Sequence, residues 1–277
     1  MLVTLNEILR DANQRNYAVG AFNCLSVENV MGAIRAAETL QSPIILQLAE
    51  VQFPEAPLAM MAPLYLQAAK QARVPVCVHL DHGQSVETCV RAIRLGFTSV
   101  MFDGAALPFD ENVRQSALVA RIARAAGVST EAELGRVGDA GDAGADVFTD
   151  VDEAMRFVGE VDIDALAIAI GNQHGHYVYT PKLNIDRLKE LHAACQTPLV
   201  LHGGSGTTVD DFKVCIRHGI CKINVATAIQ RGIMKRLNER LVAKPDEGYI
   251  PLKQVMIDAS AEVVADHIRL FESNYKA

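Results

Sequence analysis

Short apolar runs alternate with helix-length amphipathic stretches along the whole chain. Candidate strands fall at 17–23 (YAVGAFN), 43–49 (PIILQLA), 75–81 (PVCVHLD), 99–103 (SVMFD), 128–134 (VSTEAEL), 165–171 (ALAIAIG), 198–204 (PLVLHGG) and 221–227 (CKINVAT). Runs this short and this apolar read as strands buried on both faces, the habit of a parallel sheet. Segments at 26–40, 56–72, 86–95, 110–126, 184–195 and 209–217 lie between them at helix length, several opened by Ser, Asp or Asn caps. Eight strands in strict alternation with helices predict a (β/α)₈ barrel, a TIM barrel that occupies about 250 residues, here as a single domain over 1–277. A doubly wound open sheet is the alternative, but it would scatter the polar strand ends more widely. An extra N-terminal helix over 4–15 and C-terminal helices over 228–242 and 251–271, roughly 228–271 together, stand partly outside the repeat, as a barrel plug and an oligomer contact.

The polar residues that close these runs carry the chemistry. His82 lies in VPVCVHLDHG, His174 in ALAIAIGNQHG and His202 in PLVLHGGSG, each just past an apolar run, so parallel strands would bring all three imidazoles to one end of the sheet. Asn23, Asp81, Asp103, Glu133 and Asn224 fall at the same ends, where barrel enzymes place their active sites. Three imidazoles suit zinc, which in catalytic use takes three protein ligands and keeps one position open. Asp81 puts a carboxylate next to the first of them. His79 reads as a core residue, His176 as a residue near the metal, and His192, His218 and His267 as surface positions on helices.

Two loops add to this. The stretch 202–208, HGGSGTT, allows close backbone approach at Gly203 and Gly204 and offers the Ser205 hydroxyl, while NVAT (224–227) opens the next helix. Barrels bind phosphate with the loops after strands 7 and 8 and a helix N-terminus, where free N–H groups face an anion. The stretch 135–149, GRVGDAGDAGADVFT, has no apolar periodicity and reads as a lid loop beside the fifth strand.

Composition narrows the partners. Half of the 277 residues are hydrophobic, and 26 basic against 33 acidic residues give a formal charge of −7 with no basic run, which argues against nucleic acid. The acidic, helical N-terminus lacks the pattern of a signal peptide, and no apolar run approaches a membrane span. Six cysteines without paired spacing fit reduced thiols and a cytoplasmic location.

The series AFN (21–23), HLDHG (79–83), MFDGAALPFDEN (101–112), EAELGRVG (131–138), GNQHG (171–175), LHGGSG (201–206) and KINVAT (222–227) resembles the class II, zinc-dependent ketose-phosphate aldolases, of the fructose- and tagatose-bisphosphate aldolase kind. The match runs in order through all eight strands, to about residue 235. The resemblance implies that His82, His174 and His202 bind one catalytic zinc, that a monovalent cation has a place in the site, and that Asp81 is the acid/base at the bond being broken. It also implies that Gly175, Gly203, Ser205 and Thr227 hold a phosphate and that Asn23 and Asn224 contact substrate. Asp103 and Glu133 match residues that line the site or hold metal in a second position. The reaction implied is reversible cleavage of a phosphorylated ketose to dihydroxyacetone phosphate and an aldehyde, in a homodimer or homotetramer.

The chain departs from that family in three places. Segment 135–149 carries only aspartates where relatives place a glutamate, and Asp142 is the substitute, with Asp139 behind it. Ala49 stands where relatives have a serine, and Ile257 stands where bisphosphate aldolases have an arginine for the second phosphate. A ketose monophosphate is therefore the expected substrate, and fructose or tagatose bisphosphate the alternative. Lys253 or a neighbouring subunit could supply the missing cation. A non-catalytic companion subunit and a phosphate-binding isomerase or epimerase are the readings from other classes.

Overall fold

Eight parallel strands close on themselves in this computed structural model, which describes residues 1–135, 137–139, 148–174, 182–204 and 207–277, with the backbone alone at 138, 139 and 174. The barrel strands are β1 (Val19–Asn23), β2 (Ile44–Ala49), β3 (Val76–Gly83), β4 (Ser99–Phe102), β5 (Ser129–Leu134), β6 (Ala165–Ile168), β7 (Leu199–Leu201) and β8 (Ile220–Val225), and a two-residue strand, Leu2–Val3, pairs in parallel with the start of β3. Each pairs with its sequence neighbours, and β8 returns to β1 through Lys222↔Val19 and Asn224↔Ala21, so no edge is left open. The fold is the expected (β/α)₈ barrel.

Among the described residues the helices are α1 (Leu5–Arg15), α2 (Val27–Thr39), α3 (Leu58–Gln71), α4 (Val86–Arg94), α5 (Phe109–Ala125), α6 (Val151–Glu160), α7 (Ile185–Ala194), α8 (Val209–Arg217), α9 (Thr227–Ala243) and α10 (Tyr249–Leu270). Helix α1 closes one end of the barrel. Its buried Leu5, Ile8, Leu9 and Ala12 form one cluster with the inward residues Val19, Ala21, Ile45, Cys77, Met101, Ala167 and Val200, which is the plug expected from the sequence. Burying such a cluster keeps water out of the lower barrel and leaves the opposite end for chemistry. Helix α10 lies along α2, where a Cβ at Gly32 would stand 2.6 Å from the Ile257 carbonyl oxygen. Only a residue without a side chain permits that approach.

Two features depart from the hydrophobic pattern. Strands β6 and β7 end at Ile168 and Leu201, several residues before their apolar or glycine-rich runs do. Gly171 and Gly203 then take φ values of 96° and 67°, a left-handed backbone that ends a strand. Helix α6 was not among the segments read from the sequence. It starts at Asp150, whose side chain accepts from the Asp152 and Glu153 N–H groups, directly after the Gly- and Asp-rich stretch that masks its beginning.

Candidate active site

Strand alternation decides which polar residues meet. With a period of two, Asn23, Gln47, His79 with Asp81, Glu131 with Glu133, and Asn224 face the barrel interior, and all of them are buried. Lys222 joins them two positions before Asn224, directly after a bulge. Leu199 pairs with Ile220 but Val200 with Lys222, so β8 advances two residues for one of β7. Cys221 is the extra residue, and its insertion sets Lys222 on the same face as Val200.

Asp81 and His82 are consecutive, so a regular strand would point them to opposite faces. The backbone resolves this at His82, which adopts φ 45°, while the β3–β4 register shifts between Leu80 and Gly83. A left-handed conformation at a residue with a Cβ is uncommon, and such outliers concentrate at functional sites. The turn sets His82 Nδ1 2.7 Å from Asp103 Oδ2, and its Nε2 3.9 Å from Asp81 Oδ1. The His82 and His202 rings meet edge to face, 4.6 Å between centroids. His202 follows β7, with Nε2 3.0 Å from Glu131 Oε1 and Nδ1 3.1 Å from Glu133 Oε2.

His174 reaches the same region by another route. It lies six positions beyond the end of β6, in the two-residue strand Gln173–His174 that pairs in parallel with Gly138–Asp139. This strand is docked on the loop after β7. A Cβ at Gly203 would stand 1.8 Å from the Gln173 carbonyl oxygen, and Asn172 Nδ2 donates to the His202 carbonyl at 3.1 Å.

The donor set fits a divalent metal. The ligand atoms of Asp81, His82 and His202 lie within 4.8 Å of one another, as do those of His82, Asp103 and Glu133. Burial works against charge on His82, but Asp81, Asp103 and Glu133 outweigh it and push its pKa up to about 10. His202 is likewise raised against its burial, by Glu131 and Glu133. Carboxylates crowding two imidazoles in a water-poor interior call for positive charge. A divalent metal ion bound to neutral imidazoles would supply it in place of protons.

Asp81 is held by three donors. Its Oδ1 accepts from Asn224 Nδ2 at 2.9 Å, and its Oδ2 from Asn23 Nδ2 at 3.0 Å and Gln47 Nε2 at 3.2 Å. Burial would raise its pKa, but the neighbouring positive charge of His82 and Lys222 lowers it to about 2. The two asparagines are engaged at their other positions too: Asn23 Nδ2 reaches Gln52 Oε1 at 3.2 Å, Asn23 Oδ1 accepts from Gln47 at 2.8 Å, and Asn224 Oδ1 accepts from Lys222 Nζ at 2.7 Å. In this structure both asparagines serve Asp81.

At the loops expected to take a phosphate, Gly203 turns the chain after β7 and Thr227 opens α9, whose N-cap Ala226 has no capping side chain. Thr207 Oγ1 beside them is buried without a hydrogen-bond partner. An uncapped helix start next to a glycine turn is suited to an anion. Gly175, Ser205 and Asp142 lie outside the described residues, as does the side chain of His174.

Sequence reasoning missed Gln47, Gln52 and Glu131, and gave Lys222 no role. Strict alternation within β2, β5 and β8 was the available signal for all but Gln52. His79 is core, as expected, but it belongs to this polar interior: Nδ1 stands 2.8 Å from Ser99 Oγ and Nε2 3.6 Å from Glu131, and burial holds its pKa down near 3, so the ring is neutral. His267, expected at the surface, is half-buried, with Nδ1 donating to the Val263 carbonyl at 2.7 Å and the ring packed on Phe271.

Comparison with known proteins agrees with this geometry. The family described as fructose-bisphosphate aldolase class-II matches residues 3–276. A probable fructose-bisphosphate aldolase of Bacillus subtilis (strain 168) is 40% identical, covering 100% of this chain and 99% of its own. A sulfofructosephosphate aldolase of Alkalicoccus urumqiensis is 37% identical over 98% and 96% of the two chains. The crystal structure of the YdjI aldolase from Escherichia coli K12 superposes over 100% of both chains, with a TM-score of 0.92 at 35% identity. With its barrel, its histidine motifs and its matched relatives on one side, the chain belongs to the class II fructose-bisphosphate aldolase family and is an aldolase, a carbon–carbon lyase acting on a phosphorylated ketose.

Proposed function

We propose that the protein is a zinc-dependent aldolase that cleaves a ketose monophosphate reversibly to dihydroxyacetone phosphate and an unphosphorylated aldehyde. The observation that carries the reading is the Asp81–His82–His202 cluster, a carboxylate held by three donors beside imidazoles that share one small volume. His82, His174 and His202 would hold the zinc, with Asp103 and Glu133 either orienting them or offering a second position. When bound, zinc supplies Lewis acidity, which stabilises the negative charge left next to the ketone as the carbon–carbon bond breaks.

The remaining work belongs to the chain. Asp81 takes the proton from the hydroxyl on the departing carbon, and its fixed geometry places the accepting oxygen before substrate arrives. Gly203, with Gly175, Ser205 and Thr227, anchors the phosphate of the dihydroxyacetone-phosphate half, and Asp142 is the acid that protonates the carbon in that half. Asn23 and Asn224 line the substrate side of Asp81.

The monophosphate reading rests on what surrounds position 257. Ile257 packs α10 onto α2, the Arg35 guanidinium that donates to its carbonyl at 3.3 Å is ion-paired to Asp258 at 2.7 Å, and Lys253, the nearest substitute cation in sequence, is ion-paired to Glu28 Oε1 at 2.6 Å. A second phosphate would therefore lose charge-assisted hydrogen bonds worth about 1.5–3 kcal/mol each. The name of the Bacillus relative favours the bisphosphate as the second reading. Comparing kcat/KM for fructose and tagatose 1,6-bisphosphates with their 1-phosphates separates them: preference for the 1-phosphates is expected, and a strong preference for either bisphosphate overturns the proposal.

We also read the protein as a cytoplasmic homodimer or homotetramer. Six buried free cysteines fit a reducing compartment, and exposed Met31, Tyr249 and Ile250 on α2 and α10 fit a subunit contact. No described helix is long and apolar enough to cross a membrane.

A further inference from the structure

Beneath Asp81 lies a fully buried ion pair that no catalytic step uses. Lys222 Nζ stands 2.9 Å from Glu131 Oε2 and 3.2 Å from Oε1, and neither side chain reaches solvent. Such a pair loses hydration at both partners, and an apolar pair of the same volume would often fill the interior as well or better. The contacts around it indicate what the charges do.

We infer that Lys222 is a positioning residue, which acts through Asn224 to hold Asp81 in place for proton transfer, with Glu131 as its counter-charge. The ammonium donates to Asn224 Oδ1 at 2.7 Å, and Asn224 Nδ2 donates to Asp81 Oδ1 at 2.9 Å. An amide normally has two nearly isosteric orientations. Here only one is allowed. Turning Asn224 over would set its NH₂ against the ammonium and its oxygen against the carboxylate, two repulsive contacts in a dry interior. Lys222 therefore fixes which end of Asn224 meets Asp81, and so fixes the carboxylate. Its own donors are directed at Glu131 and Asn224, so it is no candidate to attack substrate.

Glu131 extends the control to the other half of the site. Its Oε1 stands 3.0 Å from His202 Nε2, which turns Nδ1 toward Glu133 and the side of His82. A partner on the outer nitrogen of a metal-binding histidine fixes its tautomer and ring orientation. One ion pair thus orients the acid/base and a metal-binding imidazole together.

The inference rests on Asp81 being the acid/base, and a double-mutant cycle keeps the two apart. Lys222→Met should lower kcat for ketose-phosphate cleavage about 10²-fold, the scale of a small misplacement of a reacting group, while KM stays within about twofold, since the phosphate site is untouched. In an Asp81→Asn background the same change should cost nothing further. Because Lys222→Met strands the Glu131 charge, Lys222→Met/Glu131→Gln removes both charges and should show the same loss of kcat, with zinc content measured in parallel. Parent-like kcat in a folded Lys222 variant, or a full and additive loss on top of Asp81→Asn, overturns the inference. An unimpaired Asp81→Asn would instead overturn the role of Asp81.

Discussion

Replacing Asp81 by asparagine keeps the shape of the side chain and removes its proton-accepting carboxylate, and the surrounding bonds set what that costs. The asparagine has one acceptor and one donor end. If its NH₂ turns to the Oδ1 side it faces Asn224 Nδ2 alone, whereas on the Oδ2 side it would face both Asn23 and Gln47. The first orientation loses one bond rather than two. Asn224 cannot turn to relieve the contact, because Lys222 holds its Oδ1 at 2.7 Å. Two buried donors, Asn224 Nδ2 and the new amide nitrogen, then face each other unsatisfied, at about 1–3 kcal/mol each, still a fraction of the roughly 5–15 kcal/mol that holds a domain folded. Asp81→Asn should therefore fold and bind zinc, yet cleave substrate about 10²–10⁴-fold more slowly. Steady-state release of dihydroxyacetone phosphate, metal analysis and a thermal melt on one preparation read all three. Cleavage at the parent rate by the zinc-loaded variant would refute the acid/base assignment.

Other perturbations test separate parts of the account. Gly203→Ala places a Cβ where the Gln173 carbonyl stands 1.8 Å away and forces a left-handed backbone that costs about 1–2 kcal/mol with a side chain present. It should displace the strand bearing His174, weaken zinc binding and raise KM for dihydroxyacetone phosphate in the condensation direction; parent values of both would refute the packing argument. Asp81 is held at about pKa 2 against its usual 3.8, so it contributes stability above pH 3.8 that is lost as pH falls through about 2. That amounts to about 2 kcal/mol, and urea unfolding of the metal-free protein between pH 5 and 2 should show a correspondingly shallower pH dependence for Asp81→Asn. Equal slopes would contradict it. Asp142→Asn should slow exchange of the dihydroxyacetone-phosphate C–H with solvent, measured by proton NMR in deuterium oxide; unchanged exchange would move that role to Asp139.

The eight strands and most helices were legible because a parallel barrel writes each strand as a short apolar run and each helix as an amphipathic one. Helix α6 was not, because its capping Asp150 merges with the Asp- and Gly-rich stretch before it. The site was legible where residues end strands, as Asp81 and Glu133 do. It was less so where geometry breaks the period of two. Nothing in HLDHG states that His82 turns left-handed so that it can share a face with Asp81. Gln47 and Glu131 were hidden in another way, since one polar residue within an apolar strand reads as strand and only closure of the ring shows what it faces. The long step from Ile168 to His174 likewise depends on a pairing with Gly138–Asp139 that joins distant segments.

The central claim is that cleavage depends on a metal held by His82, His174 and His202. The most direct measurement is formation of dihydroxyacetone phosphate from a ketose 1-phosphate by the protein as purified, after chelation, and after return of zinc, with bound metal quantified for the parent and each His→Ala variant. The account predicts one zinc per chain, activity that vanishes on chelation and returns with zinc, and loss of most metal in each variant. Full activity after chelation, or full zinc occupancy in His174→Ala or His202→Ala, would contradict it.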